Sequence, residues 1–238
     1  VTTSAPQPLV LVPGLLCDAQ LWAPQIAGLA GIADAWVPVP TQHASIEALA
    51  RAVLADCPFE RFALAGLSMG GYIAMAIQRQ APQRVTHLAL LDTNAVADAP
   101  AASAARRELV ARSRAEGLGA VADALLPRLV WPQAPQHAAL HATVRSMAWN
   151  VGPDAFARQQ EAIIGRPDAR AALAAVACPT LVACGAQDLL TPPALHEEIA
   201  ALVPGARLAV FADCGHLSTL EQPAHVTQAL RTWLAEGR

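Results

Sequence analysis

Apolar residues in this chain fall into short unbroken blocks and longer stretches with helical spacing, and the two kinds alternate. Pro8 to Val12 is an unbroken block, the pattern of a strand buried on both faces. It stops at the turn signal Pro13-Gly14. Leu21, Trp22, Ile26 and Leu29 share one face of a predicted helix over Leu21 to Ile32. Trp36 to Pro40 reads as a second strand, which its prolines demote toward an edge. Ser45 is placed to cap the next helix, with Glu47 in its first turn and Ile46, Leu49, Ala50, Val53 and Leu54 as its apolar face. Arg61 to Ala65 and Val85 to Leu91 are further strands, with a helix between them that ends near Ala81-Pro82.

From Asn94 to about Val176 no segment reads as a strand. Helices are predicted over Ala104 to Glu116, Ala120 to Leu126, Gln136 to Trp149 and Asp154 to Ile164, punctuated by Gly117, Gly152-Pro153 and Gly165-Arg166-Pro167. The alternation then resumes. Strands over Cys178 to Cys184 and Ala206 to Phe211 are followed by helices over Pro192 to Leu202 and Pro223 to Ala235. Strand–helix alternation of this kind predicts an α/β fold, a mostly parallel sheet with helices on both faces. The domain reading is a core of residues 1–93 and 177–238 with an all-helical cap, 94–176, inserted over the strand ends.

Composition narrows the function more by exclusion than by assertion. The 238 residues suit one domain with an insertion, and 54% hydrophobic content supports a large core, though much of it is alanine. A net charge of −3 with 15% charged residues gives no basic surface for nucleic acid and no attraction to an acidic membrane. No run reaches the length of a membrane span, and residues 1–6 have no signal-peptide character. Cys17, Cys57, Cys178, Cys184 and Cys214 are odd in number and form no C-x-x-C pair. They read as buried thiols of a reducing, cytoplasmic compartment. Sequence patterns for metal, nucleotide or flavin sites are lacking, so no cofactor is expected.

Chemistry enters at Gly66-Leu67-Ser68-Met69-Gly70-Gly71. This is G-x-S-x-G between a strand and a helix, the context in which that pattern denotes a nucleophile on a tight turn rather than an ordinary glycine-rich loop. A serine hydroxyl needs a base, and the base needs an acid to fix its tautomer. Folds with this elbow carry the three in the order Ser, Asp or Glu, His. Of the seven histidines, His216 alone lies in a loop after a terminal strand, next to the flexible Gly215. Asp188 follows the penultimate strand and is the expected acid; Asp92, at the end of an earlier strand, is the alternative. The developing oxyanion needs two backbone donors, assigned to the Met69 N–H and, in the turn after the first strand, the Leu15 N–H. In the helical insertion, Trp131, Met147, Trp149 and Phe156 either line an apolar substrate pocket or pack the cap onto the core; Arg145 and Arg158 either meet a substrate carboxylate or are solvated.

Four stretches carry a resemblance: Val-Pro-Gly-Leu-Leu-Cys-Asp, Gly-Leu-Ser-Met-Gly-Gly, Gly-Ala-Gln-Asp-Leu-Leu-Thr-Pro and Cys-Gly-His-Leu-Ser-Thr-Leu-Glu-Gln-Pro. Over nearly its whole length the chain resembles the α/β-hydrolase fold with a helical cap. It is similar to small bacterial carboxylesterases, carrier-protein methyl ester esterases, 3-oxoadipate enol-lactonases and meta-cleavage-product hydrolases. Pro13 stands where such proteins usually carry His, and any strand before the first long one falls outside this sequence. The resemblance implies a serine hydrolase acting on small to medium, mostly apolar esters through an acyl-enzyme. Lactone opening, thioester cleavage, C–C bond hydrolysis and perhydrolysis on the same residues stay open, as does a non-catalytic binding protein on this scaffold.

Overall fold

The structure, a computed structural model, describes residues 5–236; the reading of residues 1–4 lies outside them. The strands are β1 (Gln7–Val12), β2 (Ala33–Trp36), β3 (Phe62–Leu67), β4 (Val85–Leu91), β5 (Thr180–Gly185) and β6 (Arg207–Phe211). They form one parallel sheet in the order β2-β1-β3-β4-β5-β6. The chain winds outward to β2 and then returns to the other side of β1. A crevice therefore opens between the carboxyl ends of β1 and β3, where open α/β sheets bind their ligands.

Period-two alternation divides each central strand between two cores. Leu9, Leu11, Ala63, Ala65 and Leu67 face one of them, and Val10, Val12, Phe62 and Leu64 face the other. On the second face pack α2 (Ile46–Asp56), α3 (Met69–Gln80) and α9 (Pro193–Leu202). Ser45 Oγ accepts the Ala48 N–H at 3.1 Å, the cap its position predicted. The first face is covered by α1 (Ala23–Gly28) and α11 (Pro223–Leu234).

Between β4 and β5 run α4 (Pro100–Glu116), α5 (Leu118–Leu129), α6 (His137–Val151), α7 (Pro153–Ile164) and the short α8 (Arg170–Leu173). No strand occurs among the described residues of this stretch, as the sequence predicted. Val121, Leu126, Val144, Met147 and Phe156 join the buried cluster of the first face. Gln159 on α7 bridges back to the core: its Oε1 accepts the Leu16 N–H at 3.1 Å and its Nε2 donates to Pro40 O at 3.2 Å.

Two predicted elements differ. The helix expected over Leu21 to Ile32 is a 3-10 turn, Ala19–Trp22, followed by α1, which ends at Gly28. Asp18 caps the turn early, accepting from the Gln20 N–H at 2.8 Å, and Pro24 has no N–H to carry a helical ladder through from it. The second strand lies before its expected place. Ala33–Trp36 pairs with β1, while Pro38 and Pro40, lacking ladder donors, fall beyond it.

Candidate active site

Ser68 sits between β3 and α3 with φ 57° and ψ −117°. An L residue adopts that conformation only under strain, which surrounding structure must hold in place. Here the Ser68 N–H donates to Leu91 O, and its carbonyl accepts from the Gly71 N–H and Thr93 Oγ1, each at 2.9 Å. The flanking glycines are steric necessities. A Cβ at position 66 would lie 2.2 Å from Gly70 O, and one at position 70 would lie 2.2 Å from Val12 O. The turn therefore presses the N-terminus of α3 against β1, with the hydroxyl above the sheet edge.

His216 arrives from the loop after β6. Its Nε2 lies 2.9 Å from Ser68 Oγ, and its Nδ1 lies 2.8 Å from Asp188 Oδ2. An ionised carboxylate only accepts, so the proton of a neutral His216 belongs on Nδ1, leaving Nε2 to accept from the serine. Asp188 Oδ1 takes the N–H groups of Leu190 (2.8 Å) and Thr191 (2.9 Å), and its Oδ2 also takes Thr191 Oγ1 at 2.7 Å. Burial acts to raise the Asp188 pKa, but the His216 charge and these hydrogen bonds outweigh it and hold the carboxyl below its ordinary value.

Asp92, the alternative acid, is fully buried at the end of β4 with φ 44°. Its Oδ1 accepts the Gly185 N–H at 3.1 Å and its Oδ2 pairs with Ser218 Oγ. Burial, then the Asp188 charge, push its pKa well up, so it is suited to holding a proton beside the ionised Asp188. His196, on α9, is wholly buried and accepts the Thr93 N–H at Nε2 (2.8 Å); burial lowers its pKa to about 4.

Glu221 lies in the stretch Cys-Gly-His-Leu-Ser-Thr-Leu-Glu-Gln-Pro, and no role is predicted for it there. It lies on α10 (Ser218–Glu221), a helix too short to show periodicity. Its carboxylate, 3% exposed, takes the N–H groups of Trp131 (2.8 Å), Gly215 (3.0 Å) and Leu217 (3.1 Å). The N–H groups of His216 and Leu217 also donate to Leu129 O at the end of α5. One carboxylate thus ties the His216 loop to the helical insertion. Its only sequence signal was a Glu five residues after the histidine.

A cavity of about 350 Å³ lies over Ser68 and His216. Leu15 and Met147 line it; Trp131, Trp149 and Phe156 do not. Trp131 is half-buried with its N–H on Glu221, Trp149 is 83% exposed, and Phe156 is fully buried in the core. Arg145 pairs with Asp123 on the surface, and Arg158 Nε donates to Thr41 O. Leu16, at φ 56°, gives its N–H to Gln159, whereas among the described residues the N–H groups of Leu15 and Met69 meet no protein acceptor.

Known proteins share this fold. The profile of the alpha/beta hydrolase fold family matches residues 40–223. A pimeloyl-[acyl-carrier protein] methyl ester esterase of Aromatoleum aromaticum is 30% identical over 226 residues, 90% of this chain and 86% of that protein. Among solved structures, a thermophilic esterase from Thermogutta terrifontis superposes with a TM-score of 0.88 at 33% identity, covering 97% of this chain and 90% of that one. The enol-lactonase of Burkholderia xenovorans gives 0.87 at 28% identity, covering 99% and 94%. With the family profile spanning most of its length, the chain belongs to the α/β-hydrolase family.

Proposed function

We propose that the protein is a serine hydrolase that cleaves carboxylic esters through an acyl-enzyme, with Ser68 as nucleophile, His216 as base and Asp188 as its acid. The observation that carries this reading is the continuous chain Ser68 Oγ–His216 Nε2 and His216 Nδ1–Asp188 Oδ2, at 2.9 and 2.8 Å. Ser68 Oγ attacks the carbonyl carbon as its proton passes to His216 Nε2. The imidazolium is stabilised by Asp188. The carbonyl oxygen, now an oxyanion, is met by the N–H groups of Leu15 and Met69, which have no competing acceptor among the described residues. His216 then protonates the departing alkoxide. Water repeats the sequence on the acyl-enzyme and frees Ser68.

Residues 94–176 act as the cap that selects substrates in this reading, since Leu125, Val144, Met147 and Ala148 contribute apolar wall to the cavity. Small to medium apolar acyl or alcohol groups fit such a wall. Five free cysteines suit a reducing, cytoplasmic setting. Lactone opening is the second reading, favoured by the likeness to an enol-lactonase over 99% of the chain; it uses the same groups, with the alkoxide retained on the acyl chain.

The decisive experiment is a panel of p-nitrophenyl esters, lactones and a vinylogous diketone, run on the native protein and on Ser68→Ala. Ester turnover and fluorophosphonate labelling are expected in the first, and loss of both in a variant that still folds, with turnover down by about 10⁴-fold or more. Undiminished hydrolysis by Ser68→Ala would exclude Ser68 as nucleophile.

A further inference from the structure

One part of the cavity wall is unlike the rest. Asp98, Arg106, Gln160 and Arg166 line it, together with Tyr72 and Asn94. The Asp98 side chain is 2% exposed and its acceptors are fully used. Oδ1 takes Arg166 Nη1 (2.8 Å) and Arg106 Nε (3.3 Å), and Oδ2 takes Ser103 Oγ (2.8 Å) and Arg106 Nε (3.2 Å). Gln160 Oε1 is used as well, by Arg106 Nη1 at 3.2 Å. That contact also fixes the amide orientation, because a guanidinium can only donate.

The donors are not used up. Gln160 Nε2 is buried with no acceptor. Tyr72 Oη accepts from Asn94 Nδ2 at 3.2 Å, so its own proton remains to be given. Arg166 uses Nε on Val96 O and Nη1 on Ile163 O and Asp98, and its guanidinium lies 4.5 Å over the Tyr72 ring. Among the described residues, the Nη2 groups of Arg106 and Arg166 meet no acceptor. Two guanidiniums face one carboxylate, which leaves a positive charge in the wall of the cavity. An ion-pair tether from the loop after β4 to α4 and to the loop after α7 would account for the bonds made to Asp98. It does not account for the unused donors carried by residues that line the cavity. Their complement is an anion with paired acceptor oxygens.

We infer that this wall is a carboxylate subsite, and that the ester or lactone cleaved at Ser68 carries a second, free carboxylate. The inference rests on the proposed role of Ser68, and its test separates the two. Hydrolysis of p-nitrophenyl hydrogen glutarate is compared with that of its methyl-capped diester, which puts the charge on the acyl side. The butyryl ester of 4-hydroxybutyrate is compared with its methyl ester, which puts it on the alcohol side. In one of these pairs the free acid is expected to have the higher kcat/KM by about tenfold, the scale of a charge-assisted hydrogen bond. Arg106→Gln is expected to reduce that ratio by about tenfold, through KM rather than kcat. Gln160→Leu serves the same purpose if the arginine variant does not fold, as judged by its thermal melt. Equal or better turnover of the capped ester in both pairs, or a ratio unmoved by these changes, overturns the subsite. If no ester is turned over, the Ser68 reading is what fails. The subsite is then decided by calorimetric binding of glutarate to Ser68→Ala with and without Arg106→Gln: binding that the second change removes supports it, and no binding, or equal binding, overturns it.

Discussion

Ser68 at φ 57° shows what the proposed nucleophile costs its host fold. A non-glycine residue held there is strained by about 1–3 kcal/mol, part of which glycine would recover after its own entropic penalty. Ser68→Gly is therefore expected to abolish ester hydrolysis and raise unfolding stability by about 1 kcal/mol in urea denaturation; a loss of stability would mean the backbone is not strained. His196 gives a pH prediction. Its pKa is lowered to about 4 by burial, from an ordinary 6.5, so between these values the unfolded chain binds a proton that the folded chain does not. Stability then rises with pH through that window, and acidification from 6.5 toward 4 costs up to about 3 kcal/mol. His196→Gln, which keeps an acceptor for the Thr93 N–H, is expected to flatten that part of the stability–pH curve; an unchanged slope would assign it to other groups.

At the scale of elements, the site is assembled from the carboxyl ends of parallel strands. Ser68 follows β3, Asp188 follows β5, His216 follows β6 and Leu15 follows β1. Strand ends are rigid, but the His216 loop is not itself a strand, and α10 supplies its anchor through Glu221. Glu221→Ala would leave the N–H groups of Trp131, Gly215 and Leu217 without their acceptor. The expected result is a loss of about 3 kcal/mol of stability and at least a tenfold drop in kcat, with partial recovery in Glu221→Gln, which retains one acceptor oxygen. Thermal melts beside steady-state kinetics check this. A variant that loses stability with kcat intact would show that Glu221 holds the fold without positioning His216.

At the scale of the molecule, the inserted helices α5, α6 and α7 share a buried cluster with the sheet, so the cavity wall is continuous with the core. Ala148, 2% exposed on α6, lines that cavity. A phenylalanine there would fill part of the 350 Å³. Ala148→Phe is expected to lower kcat/KM for octanoyl relative to acetyl p-nitrophenyl esters by about tenfold, measured as a chain-length profile. An unshifted profile would place the acyl chain elsewhere. Among the described residues no helix is long and apolar enough to cross a membrane.

The sequence by itself determined the alternation of strand and helix, the helical insertion between β4 and β5, and the positions of Ser68, Asp188 and His216. Those features are local. A buried parallel strand must be an apolar run, and an elbow turn must have glycine where a Cβ would meet backbone, so each leaves its mark within a few residues. Tertiary structure removed the alternative to Asp188 as the partner of His216: Asp92 also ends a strand, and only packing turns it toward Gly185 and Ser218 instead. It also decided the cavity wall. Trp149 and Met147 lie on the same helix two residues apart, yet one is exposed and the other lines the cavity. Glu221 reaches Trp131 across 90 residues, Gln159 reaches Leu16 across 143, and Arg106 reaches Gln160 across 54. A polar side chain whose partner is so distant has no periodicity and no neighbouring residue type to announce it, because its role is created only when the chain closes.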